Sequence, residues 1–260
     1  MTHSLDDISE AAGNYLESGD PARALALYRQ AVEMATAAGR QRDLSDLLGD
    51  MAVAHRRLGD VDAAIETNRR AIEAARACDY HLNVARWSGN LGGLLYSQDD
   101  IDGAEACFRD AVGAAARAGS AEQMSIAAGH FAGVMGERGR FSEAVTIMAD
   151  AREHARSAPS VVSLVHQQEA DLYLRWAYSL RSEHRFREAR DVIARALTGL
   201  GGSDNRATVM LLVLLGDIEE NDGDIVAASA ALERAAAVSQ SIGNAAEAKE
   251  LGDLARRMRG

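Results

Sequence analysis

The stretch Asn90–Val112, NLGGLLYSQDDIDGAEACFRDAV, contains a glycine pair, an acidic run and a cysteine, any of which could belong to a chemical site. Its spacing indicates architecture instead. The turn residue Asp99 is followed five residues later by Ala104, then four later by Phe108 and three later by Ala111. Steps of four and three place these side chains on one helix face, so the stretch predicts two helices joined by a turn.

The same skeleton occurs six times, at residues 17–32, 57–72, 97–112, 137–152, 182–197 and 221–236. The first alanines are Ala24, Ala64, Ala104, Ala144, Ala189 and Ala228, and the second are Ala31, Ala71, Ala111, Ala151, Ala196 and Ala235. The residues between them are Tyr28, Asn68, Phe108, Met148, Ile193 and Leu232. The turn positions are Gly19, Gly59, Asp99, Gly139, His184 and Gly223. Most of these turns are 40 residues apart, and a steady period of this size predicts a helical repeat protein.

A second amphipathic segment precedes each turn, so each repeat predicts two antiparallel helices. Pro21 after Asp20 is a good helix start, and Asp60, Asp100 and Asp224 are expected N-caps. We therefore predict an all-α fold, a right-handed α-solenoid of about six antiparallel helix pairs that forms a single domain over residues 1–260. The repeats are expected at about 5–40, 41–80, 81–120, 121–160, 161–203 and 204–242, followed by a capping helix at 244–258.

The pattern resembles tetratricopeptide repeats, whose signature couples Leu-Gly and an aromatic residue in the first helix with spaced alanines and an aromatic residue in the second. The resemblance covers about residues 5–240 and is strongest in the third repeat, which contains Asn90–Gly92, Ala104, Phe108 and Ala111. The 40-residue period is similar to the extended repeats of kinesin light chains and bacterial peptide-sensing regulators. Asn68 departs from the pattern, which has an aromatic residue there. The resemblance implies a superhelix whose first helices line a concave, partner-binding surface.

Composition narrows the class of partner. The net charge of −11 would repel a phosphate backbone, so the sequence predicts a neutral or basic protein or peptide partner and no direct nucleic-acid binding. No signal segment and no window of roughly 18 apolar residues is present, so a cytoplasmic protein without a membrane span is expected. The two cysteines, Cys78 and Cys107, are expected to be inert buried thiols. Arginine dominates the basic residues, with Lys249 the only lysine, which indicates a bacterial source.

The partner-binding surface is expected on the inward face of the first helices. In the repeats that the sequence resembles, the position of Asn90 turns inward and holds a peptide backbone, because one carboxamide can both donate and accept a hydrogen bond. Counting in repeat steps gives the other candidates, which are Arg56, Arg86, Tyr96, His130, Leu174, Arg175 and Tyr178.

Five glycines lie in the middle of predicted helices, each costing about 1 kcal/mol of helix stability relative to alanine. They are Gly89, Gly93, Gly129, Gly133 and Gly136. Two interpretations remain open. The glycines either keep a groove floor low beneath a partner or permit close packing between helices. At the other end, the apolar inward residues within 210–214 would suit an amphipathic partner, a second copy of the chain, or cover by the C-terminal segment.

The sequence predicts no catalytic residue, metal or cofactor. His166 and Glu169 have the i, i+3 spacing of a metal-ligand pair, but no second such pair occurs. The leading hypothesis is a non-catalytic protein- or peptide-binding module. One alternative is a sensory or regulatory segment of a bacterial transcription or signalling system. A less favoured one is an enzyme or small-molecule binder at His130, Arg86 and Tyr96.

Overall fold

The computed structural model describes residues 4–199 and 205–260, and these residues form thirteen α-helices and no strand. The helices are α1 (Leu5–Glu17), α2 (Pro21–Ala37), α3 (Gln41–Arg57), α4 (Val61–Ala77), α5 (His81–Ser97), α6 (Ile101–Ala118), α7 (Ala121–Glu137), α8 (Phe141–Ala155), α9 (Pro159–Ser182), α10 (Phe186–Gly199), α11 (Arg206–Asn221), α12 (Ile225–Ser241) and α13 (Ala245–Arg259). The predicted all-α repeat fold is confirmed. First and second helices alternate in the predicted register, and α13 is the capping helix. The boundary predicted at residue 203 lies outside the described residues.

The helices belong to two compact units. One comprises the described residues up to Val134 together with Glu153–Val161, and the other comprises Met135–Arg152 together with Val162–Gly260. Consecutive helices pack against each other from α1 to α6 in the first unit and from α10 to α13 in the second. The single domain over residues 1–260 and the right-handed superhelix remain predictions.

The repeated alanines are the innermost residues of the helix pairs. All twelve have 0% of their surface exposed. The residues between the two alanines of each pair are also buried, including Asn68, which is 2% exposed. Asn68 replaces the usual aromatic ring with a local hydrogen bond, because its Nδ2 donates to the Ala64 carbonyl at 2.9 Å. The small alanines let paired helices approach, and the residue between them fills the remaining space.

Each turn is built from a left-handed residue followed by a helix cap. All six predicted turn positions have φ between 58° and 88°, including the non-glycine residues Asp99 and His184. The next residue caps the second helix where it is aspartate. Asp100 Oδ1, for example, accepts from the Gly103 N–H at 2.9 Å, and Asp20, Asp60 and Asp224 accept in the same way. The predicted helix starts are therefore confirmed.

The fifth repeat differs because its first helix is longer. α9 has 24 residues, whereas α5 has 17, since the extra residues of this repeat extend α9 back to Pro159. A buried ion pair joins α9 to α8 in the second unit. Glu169, 1% exposed, accepts two hydrogen bonds from Arg152 Nη1 at 2.8 and 2.9 Å. Both oxygens of the Glu169 carboxylate are therefore bound to arginine.

Replacing Arg152 with Met should lower the free energy of unfolding by about 2 kcal/mol, because it leaves the Glu169 carboxylate buried without a partner. The loss stays below the roughly 3–5 kcal/mol of a fully buried pair, since a third of the Arg152 side chain faces solvent. Urea unfolding followed by circular dichroism measures the change. Arg156→Met, which breaks the exposed pair with Glu153, is the control and should change the stability by less than about 1 kcal/mol. Equal effects of the two substitutions would contradict a structural role for the buried pair.

Candidate partner-binding face

Three first helices of the first unit expose one face in the same register. We call this face the inner strip. Its members are Asp46, Gly49, Asp50, Val53 and Arg56 on α3, Arg86, Gly89, Asn90, Gly93 and Tyr96 on α5, and Ile126, Gly129, His130 and Gly133 on α7. All of them except Gly49 are half-buried or exposed, while the positions on either side, such as Leu91, Gly92 and Leu94, are buried. The inner strip is therefore an accessible band along an otherwise packed side of these helices.

Contacts between α3 and α5 fix the first part of the strip. The indole of Trp87 lies directly against the backbone of Gly49, where an added Cβ would come within 2.1 Å of the ring. The guanidinium of Arg86 lies 4.3 Å from the centroid of the Trp87 ring, and its Nη2 is 4.0 Å from Asp50 Oδ1. Asn83 Nδ2 donates to Asp46 Oδ1 at 2.7 Å. Arg86 is thus held in place while half of its side chain remains exposed.

The mid-helix glycines do not share one role. A Cβ added to Gly89, Gly93 or Gly133 would meet no neighbouring atom within 4 Å. These three are not needed for helix packing, which favours the groove-floor interpretation. Gly136 differs, because its Cβ would contact Leu172 and Phe141 at 3.5 Å. The repeat explains why Gly89 is open, since the residue 40 positions after Trp87 is Ala127, which is too small to cover it.

The side chains of Asn90, Arg56 and His130 have hydrogen-bonding capacity to spare. Asn90 is half-buried and makes no hydrogen bond to any described residue. Arg56 is exposed and has no carboxylate partner within the described ranges. His130 is exposed at its edge, with its ring 5.2 Å from the Phe108 ring, and burial of the rest lowers the pKa of its imidazole. His130 is therefore a neutral donor and acceptor at pH 7. Tyr96 is 39% exposed.

The candidates in the second unit separate into accessible and buried residues. Arg175 and Tyr178 are exposed on α9. Leu174 is 5% exposed, so its assignment to an accessible face is corrected. It has the register of Gly49, which is also buried, so this position borders the packed side of its helix and a leucine here belongs to the interior.

The apolar end at residues 210–214 is largely covered by the chain itself. Leu214 is buried, and Val213 packs on a cluster that Leu251 of α13 also contacts. Met210 remains 41% exposed. Of the alternatives raised by the sequence, cover by the C-terminal helix has support here. Self-association through this region remains a prediction.

The two thiols have different environments, which corrects the expectation that both are buried. Cys78 is exposed at the C-terminal end of α4. Cys107 is half-buried and lines a shallow pocket of about 280 Å³ on the other side of the helices, near Asp110. Burial and the nearby Asp110 carboxylate raise the pKa of the Cys107 thiol, which disfavours the thiolate needed for nucleophilic chemistry.

Sequence reasoning missed Tyr28 as a site residue because it is one of the large residues between repeated alanines. The side chain is 2% exposed, yet its hydroxyl reaches the inner face, 3.9 Å from where a Cβ on Gly13 would stand. Gly13 occupies the same register as Gly93 and Gly133, which lie two and three repeats after it. The available signal was the combination of a glycine in this register on α1 with a tyrosine between the repeated alanines of α2. The other repeats have an apolar residue or Asn at the position of this tyrosine.

With this geometry defined, comparison with known proteins supports the repeat assignment. Residues 43–117, which contain α4, α5 and nearly all of α3 and α6, match the family model described as tetratricopeptide repeat. The predicted resemblance to this repeat is confirmed. A comparison with curated proteins finds no match to the sequence. In the described ranges, no helix combines the length and apolar character needed to cross a membrane.

Solved structures share the fold at low sequence identity. The apo form of RapI is 10% identical with a TM-score of 0.57, over 98% of this chain and 97% of that one. Nearly identical repeats from a Podospora anserina protein described as a kinesin light chain are 14% identical with a TM-score of 0.53, over 79% and 100% of the two chains. A signal transduction ATPase of Pyrococcus horikoshii with a tetratricopeptide repeat sensor is 12% identical with a TM-score of 0.55, over 97% and 41%. These similarities establish the fold.

The two adjacent glycines of α5 provide a stability test of the open strip. Gly93→Ala should raise the free energy of unfolding by about 0.5–1 kcal/mol, because alanine favours the helix and its Cβ meets no neighbour. Gly92→Ala should lower it by about 1–3 kcal/mol, because its Cβ would come within 2.6 Å of the Phe108 ring. Urea unfolding of the two variants measures both changes. Destabilisation by Gly93→Ala would show that Gly93 is a packing residue.

Proposed function

We propose that this chain is a non-catalytic module that binds a segment of a protein or peptide partner on the inner strip of its first unit. The observation that carries the proposal is the free carboxamide of Asn90, which follows Gly89 and precedes Gly93 on α5. An unpaired amide can donate to a carbonyl and accept from an N–H, so it can hold a peptide unit of any sequence. The open space over the glycines gives the partner backbone room to reach it.

The residues around Asn90 supply different contacts for such a segment. Arg86 and Arg56 offer exposed guanidinium groups, Tyr96 offers an aromatic surface, and His130 offers a neutral imidazole. Arg175 and Tyr178 are proposed as partner contacts of the second unit, taken by itself. The chain's net charge of −11 supports a neutral or basic partner. We also propose a bacterial, cytoplasmic setting, which rests on the arginine-rich composition and the unpaired thiols.

A regulatory role is the second candidate, and it uses the same face. The structural relatives include an aspartyl phosphate phosphatase from Bacillus subtilis and the Pyrococcus horikoshii ATPase whose repeats are described as a sensor. In this case the captured segment would belong to a signalling protein or to a signalling peptide. The identity of the partner distinguishes this role from that of a passive scaffold.

Asn90→Ala should weaken partner binding by about 1–3 kcal/mol, because the partner's peptide groups lose a donor and an acceptor. Immobilised chain is incubated with lysate of the source organism, and quantitative mass spectrometry compares what each variant retains. Gly93→Gln should also reduce retention, because it fills the open floor with a long side chain. Both variants must unfold at wild-type or higher urea concentrations for the comparison to hold.

Asn14→Ala is the matched control, since Asn14 is an exposed asparagine on α1 outside the register of the strip. A partner retained by wild type and by the control, and lost by the two strip variants, supports the proposal. Equal retention by all four chains would contradict binding on the inner strip.

A further inference from the structure

The register of the inner strip continues onto α1, one repeat before α3. The strip positions of α1 and α3 are rich in acidic residues. The positions 40 residues before Asp46 and Asp50 are Asp6 and Glu10. Asp6 lies 3.7 Å from Arg40, and Glu10 is exposed with no cationic partner among the described residues. This end of the strip therefore has four carboxylates, and Arg56 is the one base in the same register on these two helices.

A buried tyrosine presents its hydroxyl to this acidic end. Tyr28 has 2% of its surface exposed, and its hydroxyl lies beside Gly13 without a hydrogen bond to any described residue. Burial, together with the nearby carboxylates of Asp50 and Glu17, raises the pKa of Tyr28 to about 12. The phenol is therefore neutral at physiological pH, and its oxygen is available as an acceptor.

The guanidinium groups of Arg57 and Arg86 do not fully neutralise the Asp50 carboxylate or occupy the Tyr28 hydroxyl. Arg57 lowers the pKa of Tyr28 slightly, but its Nη1 donates to the Leu16 carbonyl. Arg86 reaches Asp50 only at 4.0 Å and is stacked on Trp87. Asp50 accepts no shorter ionic contact from the described residues. The Phe108 and His130 rings, which have the registers of Tyr28 and Asp50 two repeats later, have centroids 5.2 Å apart, so the register places the Asp50 carboxylate beside the Tyr28 ring. The Tyr28 hydroxyl lies at Gly13, which contributes no side chain.

We propose that the Asp50 carboxylate and the Tyr28 hydroxyl bind a cationic side chain of the partner, a lysine or an arginine. An ammonium or guanidinium group donates to both oxygens at once, and such charge-assisted hydrogen bonds are the stronger class. The surrounding carboxylates of Glu10, Asp46 and Glu17 attract the same charge and repel acidic side chains. This inference rests on the proposed function, since it assigns one contact within the segment that the inner strip holds.

The test is a random dodecapeptide phage library selected on wild-type chain, keeping the peptides that bind wild type and fail to bind Asn90→Ala. These peptides should share a lysine or arginine at one position. Fluorescence anisotropy then compares one such peptide with its analogue carrying norleucine at that position. On wild type the analogue should bind about tenfold more weakly or worse, as expected for a hydrogen-bonded charged group.

The same pair of peptides is measured on three variants. On Asp50→Asn the difference between the two peptides should shrink to about twofold, since most of the ionic contact is lost. Tyr28→Phe should also reduce it, because the second acceptor is gone and the ring is kept. Asp62→Asn, which removes a distant exposed carboxylate on α4, should leave the wild-type difference intact. Asp50 is partly exposed, so its variant carries the test if Tyr28→Phe fails to fold.

Each outcome separates the two proposals. Asn90-dependent peptides without a shared basic residue would overturn the cation site and leave the proposed function standing. A lysine preference that survives Asp50→Asn would place the cation elsewhere and overturn the site as well. Failure to select any Asn90-dependent peptide would overturn both.

Discussion

The packing of alanine against alanine within each helix pair is the constraint on which the rest of this structure depends. All twelve repeated alanines are completely buried, so the paired helices are held closer than larger side chains would allow. The residue between the two alanines then has to fill a defined space, and in the third repeat Phe108 does so by lying against Gly92. Because the same spacing recurs, the face of each first helix that points away from these alanines has the same positions in successive repeats, and it remains accessible.

Differences between the repeats decide what this accessible face can do. Trp87 covers Gly49, whereas the small Ala127 leaves the equivalent Gly89 open. The Tyr28 hydroxyl lies beside Gly13, whereas the Phe108 ring has no hydroxyl and packs against His130. One scaffold therefore carries an acidic end with a phenol, a central amide over a low floor, and a neutral imidazole. Such variation along a regular framework can distinguish one partner segment from another.

The sequence predicts the framework well because its signals are local. The caps at Asp60, Asp100 and Asp224 and the left-handed turns, including Asp99 and His184, depend on residues that are neighbours along the chain. The buried alanines follow from helical periodicity alone.

What the sequence does not predict depends on contacts between helices. Leu174 has the register of Gly49 at the edge of the accessible face, and whether a residue there is covered depends on the neighbouring helix. To predict the open space over Gly89, one must know that residue 127 of α7, and not a residue of α5, occupies the position that could cover it. Tyr28 fits the framework pattern, so the sequence does not predict that its hydroxyl lies beside Gly13.

The most direct test of partner binding on the inner strip is site-specific photo-crosslinking. Benzoylphenylalanine replaces Gly93 in one chain and Gly113 of α6 in another. An added Cβ meets no atom within 4 Å at Gly93 and only the Arg117 guanidinium, at 3.5 Å, at Gly113. Each chain is irradiated in lysate of the source organism, and crosslinked proteins are identified by mass spectrometry. Binding on the inner strip predicts a defined crosslinked partner from position 93 that is absent from position 113. The same partner from both positions, or from position 113 alone, would contradict it.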